Sequence, residues 1–265
     1  MSWFDAYTAP KKEIPRRAYL TVSVSVALLI LAVWCALSYG QLVRSDFLPT
    51  PIAVIQAGID GVSDGSLFVD TGVSLGEIMS GFILASIFAV PLGILMGSFK
   101  IVEAAIEPVT NFVRYLPVSA LIPLLILWVG IGMTEKVAVI FIGTFFQQLI
   151  LIADVSRNVP HDLLDVSYTL GASRRQVVTR VLIPATLPGV MDALRITLGW
   201  AWTYLVVAEL VAANKGLGYF ILNSMRGLFT DRIFLGIAVI GLLGLISDQL
   251  FKALRRWLLP WTTER

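Results

Sequence analysis

Six times along this chain, about 18–25 residues pass with almost no charge, and few folds can use such runs. Each run is long enough to cross a hydrocarbon core of roughly 30 Å as a helix. In that medium every backbone N–H and C=O must be satisfied by protein, so the runs predict an all-α integral membrane bundle of about six helices. They lie near Ala18–Tyr39, Gly72–Gly97, Phe112–Val129, Lys136–Asp154, Asp192–Ala213 and Ile233–Leu254. The first is too long for a signal-peptide core and lacks a clear small-x-small cleavage site, so it is expected to stay as an anchor. Pro91 in the second run, and Pro117 and Pro123 in the third, predict kinks or breaks there.

Composition supports this class and excludes others. Hydrophobic residues make up 57% of the chain and charged ones 14%, too few charges for a soluble domain of this length. A net charge of +2 is too small to point to a nucleic-acid partner. The single cysteine, Cys35, cannot close an intrachain disulfide. One histidine, His161, expected as a solvated loop residue, and no H-E-x-x-H spacing leave no catalytic or metal-binding constellation. The chain also lacks a G-x-x-x-x-G-K-[ST] loop, so it is not expected to hold ATP phosphates itself.

The basic residues set an expected orientation. With six spans, Lys11, Lys12, Arg16, Arg17, Lys100, Arg157, Arg174, Arg175, Arg180, Lys252, Arg255, Arg256 and Arg265 fall on one side, against Arg44, Lys136, Lys215, Arg226 and Arg232 on the other. The positive-inside rule places the richer side, with both termini, in the cytoplasm. The expected division is a cytoplasmic tail at 1–17, a first helix at 18–39, an external segment at 40–71, a core at 72–254 and a cytoplasmic tail at 255–265. In the external segment, Phe47-Leu48-Pro49-Thr50-Pro51 opens a polar stretch to Asp70, read as a short surface helix and loop. Beyond Lys215-Gly216-Leu217-Gly218, the apolar Tyr219–Met225 is too short to span and reads as an interfacial or re-entrant helix, or as a plain loop.

One polar interlude, 158–188, stands out inside the core. Pro160 and Asp162 suit a helix start, Leu163, Leu164, Val166 and Leu170 give a loose apolar face, and Gly171 suits a left-handed stop. Ser173 with Gln176 fits a capping box that opens a second helix, with Val177, Val178, Val181 and Leu182 on one side and Arg174, Arg175 and Arg180 on the other. Pro184 is expected to stop it. Spacing alone leaves two readings, a helix pair resting on the bilayer surface or a knob docking on a partner protein.

The interlude resembles the EAA loop of ABC-importer permeases: Glu-Ala-Ala, then a glycine, then Ile-x-Leu-Pro. The corresponding residues are Asp165-Val166-Ser167, Gly171-Ala172 and Val181-Leu182-Ile183-Pro184. The glycine, alanine and proline match, and Asp165 keeps the acid. Phe47-Leu48-Pro49-Thr50-Pro51, Leu121-Ile122-Pro123-Leu124, Trp128-Val129-Gly130-Ile131-Gly132, Ala208-Glu209 and Gly216-Leu217-Gly218-Tyr219 are similar to the nitrate/sulfonate/taurine/bicarbonate branch of those permeases. The resemblance implies a type I importer permease fold with a coupling helix near Gly171. It also implies two permease subunits, two cytoplasmic ATPases carrying ATP and Mg, and an external substrate-binding protein. ATPase contact then falls on Asp165, Gly171, Ala172, Ser173, Arg174 and Pro184. The cargo implied is a small oxyanion or sulfonate such as nitrate, taurine, an alkanesulfonate or bicarbonate, with pyrimidine-like solutes as the alternative within the family. A stand-alone carrier or channel is the rival class; it would be expected to show an internal repeat or a midplane carboxylate site. No repeat is visible, so a pseudo-twofold pathway needs a second chain, most simply a second copy, with a related permease as the alternative.

Polar groups within spans are costly and mark candidates for the pathway. On the fifth span, Trp202 and Glu209 share a stripe with Arg195, Gly199 and Val206, while Trp200, Tyr204 and Val207 lie roughly opposite; which face borders the pathway is open. Thr203 is a further candidate. Glu209 is expected to pair with Lys215, Arg226 or Arg232, or else to touch cargo. Gln147 and Gln148, in the fourth span, point about 100° apart, so at most one need face a cavity. Arg114 and Tyr115 are placed to attract an anion, or Arg114 to snorkel to the headgroups. Asp248 is expected to pair with Lys252 one turn on.

Overall fold

The computed structural model describes residues 14–262, so Lys11, Lys12 and Arg265 lie outside the described residues. Every regular element among the described residues is helical. They are α1 (Arg16–Tyr39), α2 (Pro51–Ser63), α3 (Ser66–Ser98), α4 (Lys100–Val113), α5 (Val118–Val129), α6 (Met133–Arg157), α7 (His161–Thr169), α8 (Arg174–Val177), α9 (Ile183–Ala212), α10 (Leu217–Arg226) and α11 (Thr230–Leu258). A π-helical turn, Val178–Leu182, joins α8 to α9. The spanning helices alternate between a Gly171 end, which carries α7 and α8, and a Gly216 end, which carries α2 and α10.

Three helices make the core. Ile78 and Phe82 of α3, Ile140 of α6, and Leu198, Ala201, Trp202 and Leu205 of α9 are buried together. Lipid is as apolar as leucine, so close packing holds such helices together. Between α3 and α6 the sequence permits that approach with glycine. A Cβ on Gly81 would lie 2.7 Å from Cβ of Ile140, and one on Gly93 2.8 Å from Cβ of Ile152. The long α3 continues through Pro91 without a break.

The third predicted span is corrected. The chain turns by 94° between α4 and α5, and Arg114 to Pro117 lie between the two helices. Pro117 has no N–H to continue a ladder, and its ring disfavours helical backbone at Leu116. With 12 residues α5 reaches only about 18 Å, too short to cross a membrane alone. Among the described residues five helices are long and apolar enough to span, and the count is six when the bent pair is taken as one span.

The periphery follows more local rules. Thr50 caps α2 by accepting from Ala53 N (3.3 Å), and Pro51 occupies its first turn, giving the short helix expected there. Val54 and Ala57 of α2 pack on Leu235 of α11. In α1 only Ser38 is buried, and the helix touches the body through Trp34, whose Nε1 donates to Pro49 O (2.9 Å) and whose ring stacks on Phe234. The Tyr219–Met225 stretch forms most of α10, packed on α11 and α9.

Candidate functional site

At the Gly171 end, local chemistry builds the knob. α7 ends in a Schellman motif: Ala172 N donates to Ser167 O (3.0 Å) and Gly171 N to Tyr168 O (2.9 Å), with Gly171 at φ +83°. Ser173 then closes a capping box, its N–H donating to Gln176 Oε1 (2.8 Å) and its Oγ accepting from Gln176 N (3.4 Å). His161 is exposed on the first turn of α7, and Asp165 is exposed beyond it. Leu163, Val166, Tyr168 and Leu170 also face outward, Leu170 at 82% exposure. That open apolar surface sits among polar residues and is of the kind that marks a contact site.

The second helix of the pair differs from expectation. Pro184 does not stop it: α8, the π-turn and α9 run as one 39-residue helix, Arg174–Ala212. The π-turn immediately before Pro184 opens the rung whose carbonyl a proline ring would strike. Val177 and Leu182 are buried beneath it, and the Arg174 guanidinium lies 5.3 Å over the Phe99 ring, at the α3–α4 junction. Arg157 braces the same end, 2.9 Å from Glu103 and 3.0 Å from Asp154. The knob is therefore the foot of a spanning helix.

About three-quarters of the way along that helix, a cavity of about 350 Å³ opens between α5, α6 and α9. The break before α5 gives it Arg114, Tyr115 and Ser119, α6 gives Gly143, Phe146 and Gln147, and α9 gives Thr203, Tyr204 and Val207. The arginine folds over its neighbour, with Nη2 donating to Tyr115 Oη (2.9 Å) and the guanidinium carbon 4.5 Å over the ring. Tyr204 lies so close to α6 that a Cβ on Gly143 would sit 2.5 Å from the ring.

The cavity sorts the residues singled out in the spans. Arg114, Tyr115, Gln147, Thr203 and Tyr204 come together around it. Gln148 is fully buried elsewhere, with neither amide atom hydrogen-bonded, and Trp202 belongs to the core. Trp200 is exposed and does not line the cavity. Of the two α9 faces, the one with Tyr204 and Val207 borders the cavity, while Trp202 and Glu209 pack inward. Arg195, on the inward stripe, pairs with Asp248 (3.0 Å), which also binds Lys252 as expected (2.6 Å).

Glu209 has partners that sequence reasoning missed. Its Oε1 accepts from Ser74 Oγ (2.5 Å) and its Oε2 from Gly218 N (2.6 Å), and the ions it was expected to meet, Lys215, Arg226 and Arg232, take no part. Ser74 Oγ in turn accepts from Leu217 N, and Asp70 accepts from Gly216 N, both at 2.8 Å. Beside this lock, Lys136 lies 3.8 Å from Glu77 and 4.0 Å from Glu135, and donates at 3.3 Å to the carbonyls of Gly132 and Ala212. Glu209, Lys136, Glu77 and Glu135 are each at most 5% exposed. The available signal was a carboxylate in each of two spans, Glu77 as the one charge of the second run and Glu209 in the fifth, with Lys136 opening the fourth.

Comparison with known proteins fits this architecture. Residues 89–260 match the family model for the binding-protein-dependent transport system inner membrane component. The chain is 34% identical over 255 residues to the taurine transport system permease protein TauC of Escherichia coli (strain K12), covering 94% of this chain and 93% of the relative. It is 31% identical over 246 residues to the formylaminopyrimidine transport permease protein ThiX of Halalkalibacterium halodurans, covering 93% and 98%. Among solved structures, an inward-facing MetNI methionine ABC transporter aligns with a TM-score of 0.57 at 20% identity, over 68% of this chain and 92% of that one. The last likeness speaks to the fold, that of a type I ABC importer permease.

Proposed function

This chain belongs to the family of binding-protein-dependent transport system inner membrane components, and from that premise we propose that it forms half of an ATP-driven import route, with a second copy as the other half. Two ATPase subunits on the cytoplasmic side receive the Gly171 knobs, and an external binding protein delivers cargo at the Gly216 end. ATP and Mg belong to the ATPases, and the chain itself needs no cofactor. The positive-inside bias supports this orientation, with both termini in the cytoplasm.

One observation carries the reading: the knob and the cavity wall are parts of a single helix. From Arg174 to Thr203 the helix rises about 44 Å, so a displacement at its foot reaches the cavity without a joint between. When the ATPases close on ATP, the two knobs draw together and Thr203 and Tyr204 move against the short α5. Hydrolysis returns them. ATP drives this cycle only through contacts that differ between the two packings, and the exposed Leu163, Val166 and Leu170 surface supplies area for such contacts. Asp165, Ala172, Ser173 and Arg174 flank that surface, and Pro184 lies in the lever above it.

The cargo is a small oxyanion or sulfonate, a reading that the taurine permease relative supports. The test is uptake into proteoliposomes holding this chain, its ATPase and its binding protein. Uptake is expected to require ATP and both partners. Uptake by the chain alone, driven by an ion gradient, would overturn the importer reading. A binding panel of nitrate, taurine, alkanesulfonates and bicarbonate on the binding protein identifies the cargo.

A further inference from the structure

The geometry points to the mid-membrane cavity as a resting site for an oxyanion in transit, held by Arg114 and the amino terminus of α5. This rests on reading the cavity as part of the transport route, and it adds what the cavity selects and how.

Charge is the first argument. Arg114 is the one charged residue among the described residues that line the cavity, and the other polar groups are neutral: Tyr115, Ser119, Gln147, Thr203 and Tyr204. Every one of those five side chains can donate a hydrogen bond, and no carboxylate is present to receive a cation. In the low dielectric of a membrane interior a lone guanidinium without a carboxylate favours an anion strongly.

The second argument is that its donors are not used up. A guanidinium carries five N–H donors, and the structure gives Arg114 a single side-chain partner, the neutral Tyr115 hydroxyl. Its Nε is buried with no hydrogen-bond partner among the described residues. A phenol over which the cation is folded is a partner that an oxyanion can replace, because charged hydrogen bonds are roughly twice as strong as neutral ones.

Backbone supplies the third. The 94° break aims the start of α5 at the cavity, and Val118 and Ser119 line it. That amino terminus has no side-chain cap, so its first N–H groups and the positive end of its dipole face the same space as Arg114. The break that spoils the third predicted span thereby builds the site. Depth excludes a lipid phosphate as occupant, since Gly143 and Gln147 lie near the middle of the 25-residue α6. The volume, about 350 Å³, admits a small sulfonate or an inorganic oxyanion with water.

The test needs neither the ATPase nor the identity of the cargo. In a Cys35→Ser background, Thr203→Cys places the only thiol on an exposed part of the cavity wall. Its modification in proteoliposomes of the full chain is timed with sulfonatoethyl and trimethylammonioethyl methanethiosulfonates, each rate divided by that for a small free thiol. The anionic reagent, itself an alkanesulfonate, is expected to win by about tenfold. Excess ethanesulfonate should slow it, Arg114→Gln should bring the ratio to about one, and Arg114→Lys should keep most of it. A ratio near one or below with Arg114 in place overturns the site, as does indifference to ethanesulfonate. A protein that passes here yet fails ATP-dependent uptake refutes the importer reading and leaves the anion site standing.

Discussion

The two ends of the molecule each turn on a left-handed glycine, and they are stabilised in opposite ways. At Gly171, φ +83°, every hydrogen bond of the turn runs between residues a few positions apart, and a Cβ there would meet nothing within 4 Å. At Gly216, φ +112°, the bonds join α3 to the α9–α10 connection across more than a hundred residues of chain, and a Cβ would run into the Glu209 carboxylate. The Gly171 turn holds its own shape by bonds within itself, reaching the body through Arg174 over Phe99 and leaving Leu163, Val166 and Leu170 exposed. The Gly216 turn is shaped by what it is bound to. Damage should therefore separate function from folding at one end and not at the other.

The sharpest test is Glu209→Ala. It removes the acceptor of Ser74 and of Gly218 N and leaves Lys136 with less compensating charge, at a cost of about 3–5 kcal/mol. Unfolding in mixed micelles should begin at much lower denaturing detergent, and Glu209→Gln should recover part of the loss. A Glu209→Ala protein as stable as the parent would show that the lock carries no load. Gly216→Ala comes next, at about 2–4 kcal/mol, since it adds left-handed strain to a displaced buried carboxylate. If it unfolded no more readily than Gly171→Ala, the contrast between the two turns would fail.

At the other end the expected order of effects reverses. Gly171→Arg should cost only about 1–2 kcal/mol, the strain of an L-residue in that region, because the site is open. Its ATPase should nevertheless bind at least about tenfold more weakly, or transport should uncouple from hydrolysis. Co-purification and uptake at parental levels would take the docking surface away from Gly171.

The same contrast explains what could be read in advance. The Schellman stop at Gly171, the Ser173–Gln176 box and the Thr50 cap of α2 are local, and the residue types name the geometry. The Glu209 lock depends on which spans lie side by side, and no spacing within one run reports that. Prolines mark the middle ground. Pro117 was legible as trouble in a span, although not as a 94° turn that aims a helix start at a cavity. Pro184 misled because the π-turn before it absorbs the clash, and a π-turn has no sequence signature as plain as a cap. Arg114, Tyr115, Gln147, Thr203 and Tyr204 stood out as polar residues in spans; that they share one cavity follows from packing alone.

The smallest effect probes the Gly171 end from its longest local bond, Gln176 N to Ser173 Oγ at 3.4 Å. Ser173→Ala removes the side-chain half of the capping box and leaves Gln176 Oε1 accepting from the backbone of residue 173. The cost should be about 1 kcal/mol, as for other lost amino-terminal caps. Because α8 continues through the π-turn into α9, fraying should stay within the first turn, where Val177 is anchored in the interior. Amide exchange should quicken at residues 174–177 and remain unchanged around Thr203. Quickened exchange that spread along α9 would mean that the knob and the cavity wall are more tightly joined than a frayed helix end allows. A foot that frays without disturbing the wall is what the proposed lever needs, one turn for an ATPase to grip and release while the rest of the helix keeps its shape.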